Sequence, residues 1–403
     1  MKILHVAPHL GGGVGKAHAA LCAAFPDSVE QTFVLLEEPR DRRYADTIAS
    51  YGARVRVAGD LNEVAQFARS ADVVQFEFWN HPRLFECLAR TDFPAMRCLF
   101  WSHVSGLFRP LIPPGLMAQA GRFVFSTEAS RQIPAVAGLP DARIAVVNSG
   151  FGFAPAPRPK RQGAARIAYL GTVDFVKMHP GFFEAVDALE RDIEVAIWGD
   201  FNPFGAVLAQ TLAMTNLHRI RFHGPTATPA DALAATDIFF YPLQPEHYGT
   251  AENALVEAMS LGLAPVVLDN PAEMAIVADG ETGLVASSIA ECTTLLEDLL
   301  ASPHLLRHLG QGAARAVAAT RTPVQSAQAF LALWTALAAE MPRHADFAGA
   351  IGPEPADWYL ATQRLPGGDW APSIVPGLLP AKGTLTHFEH VFDGDASLAR
   401  LRG

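Results

Sequence analysis

Basic residues are in deficit: Lys and Arg number 31 against 41 Asp and Glu, a formal net charge of -10. A general nucleic-acid surface needs the opposite balance, because phosphate contacts dominate such binding. The same balance argues against a strongly polybasic membrane anchor, while leaving room for local basic patches. Cysteine is scarce, with only Cys22, Cys87, Cys98 and Cys292, and none forms a C-x-x-C pair. A disulfide framework or a clustered-cysteine zinc site is therefore not expected, and a reducing cytoplasm is the expected location. Long apolar runs are missing too. No stretch approaches the roughly 18 residues a membrane span needs, which leaves peripheral membrane contact open. The opening Met1-Lys2-Ile3-Leu4-His5-Val6-Ala7-Pro8 lacks the long apolar core of a signal peptide and reads as a short buried strand.

What is present is a large apolar content. Half of the 403 residues are hydrophobic and 18% are charged, enough to bury the cores of two or three domains. Short Val/Ile/Phe-rich runs occur at 2–7, 31–36, 54–58, 72–78, 97–104, 122–126 and 143–148, with helix-like segments between them. They show little alternation, as strands buried on both faces do. Strands alternating with helices imply a doubly wound parallel sheet. The segment Ala154-Pro155-Ala156-Pro157-Arg158-Pro159-Lys160 then interrupts the pattern as a stiff linker. A second series follows at 166–171, 194–199, 220–223, 237–243 and 264–269. Helix-like segments close it at 289–300, 304–319 and 323–341, the last with Phe330, Leu331, Leu333, Trp334 and Leu337 at helical spacing. The expected organisation is a domain over 1–155, a second over 156–322, and a terminal helix with an ordered tail over 323–403. Ligands of two such sheets belong at the carboxyl ends of their strands.

Three loops carry candidate chemistry. The first is His9-Leu10-Gly11-Gly12-Gly13-Val14-Gly15-Lys16. A phosphate-binding Walker loop would need Gly at position 10 and Ser or Thr at 17, but Leu10 and Ala17 stand there. A glycine loop opening a helix remains, where Gly12, Gly13 and Lys16 could approach an anion. The second is Gly171-Thr172-Val173-Asp174-Phe175-Val176-Lys177, with a hydroxyl and a cation. The third is Glu246-His247-Tyr248-Gly249-Thr250-Ala251-Glu252-Asn253, leading into a helix that carries Glu257. There a helix N-terminus suits phosphate, and a carboxylate further along suits sugar hydroxyls. His103, at the end of a strand-like run, and Glu77, Trp79, Asn80 and His81, at the end of another, are candidates for the first half.

The stretch through Glu257-Ala258-Met259 resembles the donor-binding region of the retaining glycosyltransferases of the GT-B fold, glycosyltransferase family 4 among them. That family usually reads E-x-F-G-x-x-x-x-E-A-M. Here Gly249 stands eight positions before Glu257, with Glu246 eleven and Glu252 five before it, so the motif carries an insertion of about three residues. Lys177 stands where the family has its lysine, and Thr172 where it usually has arginine. The resemblance covers roughly residues 1–340 and is strongest over 237–286.

It implies two Rossmann-like domains facing a cleft, with a C-terminal helix crossing back. It implies transfer of a sugar, with retention and without a metal ion, from a nucleotide diphosphate-sugar to an acceptor hydroxyl. UDP- or GDP-sugars are the expected donors, as substrates rather than cofactors. Acceptors would be carbohydrate, lipid-linked or small molecules, in bacterial polysaccharide or glycoconjugate synthesis. By this resemblance His103, Glu252 and Lys177 would be catalytic. Gly12, Gly13, Lys16, Thr172, Lys177, Glu246, Gly249, Thr250, Asn253 and Glu257 would bind the donor. Glu77, Trp79, Asn80 and His81 could face the acceptor. A nucleotide-sugar epimerase on the same fold and a nucleotide-binding protein without catalysis are the alternatives.

Overall fold

The computed structural model describes residues 1–150, 166–249, 252–363 and 382–402. It divides into two compact units, Met1–Gly152 with Pro323–Gly403, and Phe153–Thr322.

The first unit is a seven-stranded parallel sheet: β1 (Lys2–Ala7), β2 (Glu30–Leu35), β3 (Arg54–Val57), β4 (Val73–Phe78), β5 (Cys98–Ser102), β6 (Arg122–Phe125) and β7 (Ile144–Val146), in the order 3-2-1-4-5-6-7. The chain runs outward from β1 to β3, then returns to the other side of β1 with β4. The switch point between β1 and β4 leaves a crevice at their carboxyl ends, the usual place for a ligand in an open α/β sheet. Central β4 is buried throughout, yet it reads Val-Val-Gln-Phe-Glu-Phe. Period two puts Phe76 and Phe78 on one face and Gln75 and Glu77 on the other. A buried acid in a central strand is rare unless something pairs with it.

The helix Pro323–Ala338 belongs to this unit. Phe330, Trp334 and Leu337 pack with Ile3, Val73, Leu99, Trp101 and Val124. The Trp334 indole N–H donates to Gln75 Oε1 at 2.9 Å, which gives its buried polar edge a partner. Beyond it the tail folds as short helices, Phe347–Ile351, Pro355–Ala361, Leu385–Val391 and Ala396–Ala399. The first three pack against Pro82–Arg90, the helix that follows β4, and the fourth packs on the second and third. Phe388 lies 5.9 Å from Phe85, ring to ring, and the Arg90 guanidinium covers Trp358 at 5.2 Å. Such short helices have too few turns to show a period in sequence, so their stability comes from this packing.

The second unit is a six-stranded parallel sheet: β8 (Ile167–Leu170), β9 (Val195–Trp198), β10 (Ile220–Gly224), β11 (Ile238–Tyr241), β12 (Ala264–Leu268) and β13 (Leu284–Ala286), in the order 10-9-8-11-12-13. The three-residue β13 lies in a turn-like stretch and adds a strand to the five the sequence pattern shows. The switch point here falls between β8 and β11, so the loops after these two strands share one crevice. Both sheets are thus doubly wound and Rossmann-like, as the sequence pattern predicts. No helix among the described residues is long and apolar enough to cross a membrane.

Candidate active site

The loops after β8 and β11 are stitched together by backbone hydrogen bonds. The amide of His179 donates to Pro242 O at 3.0 Å, and that of Gln244 to Lys177 O at 2.7 Å. This fixes Lys177 over the end of β11. Its ammonium lies 2.8 Å from Glu252 Oε2, which also accepts from the Tyr241 hydroxyl at 2.9 Å. Glu252 is buried and takes a left-handed backbone (φ 40°) as it caps the helix Asn253–Ser260. A non-glycine residue held there is strained, as functional positions often are.

Gly249 makes this packing feasible. A Cβ there would come within 2.0 Å of Glu252 Oε1 and 2.5 Å of His247 Nδ1. His247 is buried beside it. Its Nδ1 accepts from the Gly249 amide at 2.9 Å, so its Nε2 carries the hydrogen and faces buried Glu273 at 3.1–3.2 Å.

The charges in this crevice are pushed apart. Burial raises Glu252, but the Lys177 ammonium, together with His247 and the Tyr241 hydroxyl, holds its carboxyl below the usual range. Burial lowers Lys177, yet the Glu252 carboxylate raises it on balance. Glu273 goes the other way: burial lifts it, and the contact with His247 offsets only part of this. Burial also pushes the Tyr169 and Tyr241 phenols well up. The result is one carboxylate held low by a cation, next to a second acid held above its ordinary range by burial.

Other predicted residues of this unit fall into place unevenly. Asn253 opens the helix half-buried, and Glu257 is fully buried within it. Thr172 is exposed on the loop after β8, its carbonyl accepting from the Tyr169 hydroxyl at 2.7 Å. Glu246 is exposed and outside the Lys177–Glu252 cluster. Thr250 lies outside the described residues.

At the switch point of the first sheet a second cluster surrounds Glu77. Its Oε1 accepts from Gln75 Nε2 at 2.9 Å and faces His5 Nδ1 at 3.1 Å. Oε2 faces His103 Nε2 at 2.9 Å and His18 Nε2 at 3.0 Å. Burial alone would raise this carboxyl, but the three imidazoles hold it well below its ordinary range. An ionised carboxylate only accepts, so Nε2 of His103 carries the hydrogen and its Nδ1 is the bare acceptor. Burial lowers His103 and His5 despite Glu77, which keeps both rings neutral near pH 7.

Trp79, Asn80 and His81 continue from β4. Asn80 takes a left-handed backbone (φ 59°) and ties the turn to Leu111 O at 2.8 Å. His81 caps the helix Pro82–Arg90 through Nδ1. Gly12 and Gly13 are exposed in the first turn of the helix Gly12–Cys22, and Lys16 is half-buried one turn on.

Sequence reasoning missed His5 and His18, the partners of Glu77, and also His247, Tyr241 and Glu273. A histidine inside the apolar run of β1 is the signal that was available for His5. Two of these groups, His5–His18–Glu77 and His247–Glu252–Glu273, have donor atoms spaced closely enough for a cation. In the second, however, Lys177 already neutralises Glu252, and the Gly249 amide fixes His247 with a hydrogen on the nitrogen a metal would need.

Residues 164–302 match the family model for glycosyl transferases group 1. Among solved structures, the fold is similar to a glycosyltransferase from Rickettsia africae, with a TM-score of 0.68 and 13% identity over 84% of this chain and 99% of that one. It is also similar to HepE of Anabaena, solved in complex with UDP-glucose, with a TM-score of 0.67 and 16% identity over 83% and 100%. Sucrose-phosphate synthase of Thermosynechococcus elongatus gives 0.64 and 14% over 84% and 99%. None of the curated proteins matches in sequence. The fold is that of the GT-B glycosyltransferases. Within the second unit, the chain resembles the glycosyl transferases group 1 over the matched residues 164–302.

Proposed function

We propose that the protein moves a sugar, with retention and without a metal ion, from a nucleotide diphosphate-sugar to an acceptor hydroxyl. The observation that carries this reading is the Lys177–Glu252 pair at the switch point of the group 1 unit. An ammonium has three donors. Glu252 engages one and fixes the group, leaving two for phosphoryl oxygens. As the glycosidic bond breaks, charge grows on the leaving diphosphate. A preorganised cation and the N-terminus of the helix Asn253–Ser260 stabilise that charge where it develops. Glu257, buried further along the helix, is assigned to the ribose hydroxyls. Retention follows from a front-face route assisted by the leaving group, since no side chain is assigned as a covalent nucleophile.

His103 is assigned to the donor sugar. Its Nδ1 acceptor, oriented by Glu77, would take a hydrogen bond from a sugar hydroxyl. Gly12, Gly13 and Lys16 are assigned to the donor, and Trp79, Asn80 and His81 to the acceptor side. UDP or GDP is the proposed base carrier; HepE supports UDP, having been solved with UDP-glucose. Bacterial polysaccharide or glycoconjugate assembly in the cytoplasm is the proposed setting.

The test is thermal shift with UDP, GDP, ADP, dTDP and CMP, each with and without magnesium, followed by turnover of the matching sugar donor. A ligand bound only by the folded state at a hundred times its dissociation constant stabilises by about 2.7 kcal/mol. A magnesium-independent shift with one diphosphate, and transfer from its sugar, is the expected result. Isomerisation of the free donor would point to an epimerase instead, and binding without turnover to a catalytically silent protein.

A further inference from the structure

Beside the Glu77 cluster, the first sheet's switch point gathers several N–H donors. His9 follows β1, Trp79 and His81 follow β4, and His387 arrives from the tail helix Leu385–Val391. Ring centroids are 5.4 Å apart for His9 and Trp79, 5.5 Å for His9 and His81, and 4.9 Å for His81 and His387. In all three imidazoles Nδ1 accepts from a backbone amide: Gly11 to His9 at 3.1 Å, Arg83 to His81 at 3.2 Å, and Gly383 to His387 at 3.1 Å. An amide nitrogen can only donate, so each Nδ1 is bare and each neutral ring carries its hydrogen on Nε2. His9 and His387 are firmly neutral at pH 7. Burial first, and then the neighbouring His81, bring them down to about 4 and about 3.

Nε2 of His81 faces Glu37 Oε1 at 3.5 Å, a long contact. Among the described residues no oxygen accepts from Nε2 of His9 or His387, nor from the buried indole N–H of Trp79. Of these donors the Trp79 indole is the fully buried one, and a buried donor normally finds an acceptor; with the half-buried His9 and His387 beside it, the crevice suits an acceptor-rich ligand. The electrostatics agree. Lys382 acts on both His9 and His387, Arg40 acts on His9, and Glu37 is the acid they share.

The trio His9, Glu37 and His81 also has donor atoms within 4.8 Å of one another, a spacing that would suit a cation. The tautomers oppose one. A metal at Nε2 would move the hydrogen to Nδ1, against an amide already donating there.

We propose that His9, Trp79, His81 and His387 bind the carboxylate or phosphate of a sugar, with Glu37 accepting from a hydroxyl of the same ligand. The tail thereby completes a site in the first unit. Naming that ligand as the acceptor rests on the transferase reading; its binding does not.

The experiment is calorimetry on the full chain without donor, using glucuronate, glucose 6-phosphate, inorganic phosphate, glucose and zinc chloride, with UDP titrated separately. Glucuronate or glucose 6-phosphate should bind at least tenfold more tightly than glucose, and the better of the two identifies the oxyacid. His387→Phe should weaken that binding roughly tenfold or more, by loss of a hydrogen bond to a charged group. His387→Gln keeps an N–H donor and should recover part of it, which guards against a folding defect in the first variant. UDP binding should be equal in all three proteins. Three outcomes would overturn the proposal: glucose binding as well as the charged sugars, inorganic phosphate binding as well as glucose 6-phosphate, or tight zinc binding lost in His81→Ala. Binding of the charged sugar without any response to UDP would leave this site standing and remove the transferase reading.

Discussion

Nζ of Lys177 stands 2.8 Å from Oε2 of Glu252, joining the loop after β8 to the residue that caps the helix after β11. Both groups are withdrawn from solvent, so each depends on the other. Lys177→Met should leave a buried carboxylate without its cation and cost about 3 kcal/mol of stability. It should also lower transfer by roughly a hundredfold or more, since a charge aimed at the leaving group is lost. Urea denaturation and single-turnover kinetics read the two effects separately. Unchanged turnover in a folded variant would take Lys177 out of the chemistry.

The same pair has a pH signature. The Glu252 carboxyl is held low, so its contribution is complete above about pH 4.5 and is lost as pH falls through its folded value. Lys177 is held high, so its contribution is complete below about pH 10.5 and is lost as pH rises through its folded value. The second unit should therefore hold a stability plateau between these limits. Lys177→Met should abolish both edges: the alkaline one belongs to the lysine itself, and Glu252 without its cation is raised by burial, so acid no longer removes a favourable interaction there.

The first unit should be more acid-sensitive, and at a higher pH. His9 and His387 are brought down to about 4 and about 3, and burial lowers His5 and His103 as well. Unfolded histidine takes up its proton near pH 6.5, where these folded rings do not. Between those values the unfolded chain binds more protons, so stability falls as pH falls. At pH 5 the loss is about 2 kcal/mol each for His9 and His387. Urea titrations at pH 7 and pH 5, followed by tryptophan fluorescence, would show it. Equal midpoints would mean that the imidazoles are not held neutral.

Much of this architecture is legible in the residues themselves. Twelve of the thirteen strands coincide with apolar runs visible in sequence, because parallel strands buried on both faces need continuous Val, Ile and Phe. Lys177 and Glu257 are legible from their spacing to Gly171 and to Ala258-Met259. The partners are not. His5, His18 and His103 meet Glu77 only because β1, the helix Gly12–Cys22 and β5 flank β4, a contact that topology creates and spacing does not. Glu246 and Glu252 cannot be ranked from the motif, since an insertion shifts the register. Burial separates them, with Glu252 inside and Glu246 in solvent. The tail helices are hidden for a different reason: they are stabilised by tertiary contacts, such as Phe388 on Phe85, Trp358 under Arg90 and Phe347 against Phe76, Phe93 and Phe100, rather than by their own period.

Gly249 offers a steric test that leaves every charged group in place. Alanine there would bring Cβ within 2.0 Å of Glu252 Oε1 and 2.5 Å of His247 Nδ1. Either the carboxylate leaves Lys177 or the loop shifts, and overpacking of this kind costs about 1–3 kcal/mol. Turnover should fall by more than nucleotide affinity, because the Lys177–Glu252 geometry is disturbed while Glu257 is untouched. Wild-type kinetics in Gly249→Ala would show that the pair tolerates displacement.

Glu257 separates binding from catalysis. It is fully buried in the helix Asn253–Ser260, among Leu255, Val256, Ala258 and Met259. A carboxylate placed there is valuable only if hydroxyls or amides satisfy it. If ribose hydroxyls are among its partners, Glu257→Ala should weaken nucleotide binding by about 1–3 kcal/mol, the worth of hydrogen bonds to a charged group. Glu257→Gln should lie between, since it keeps one acceptor and loses the charge. Calorimetry with the nucleoside diphosphate that stabilises the wild type gives the number directly. Undiminished affinity in a folded Glu257→Ala protein would make the residue structural and move ribose recognition elsewhere on the second unit.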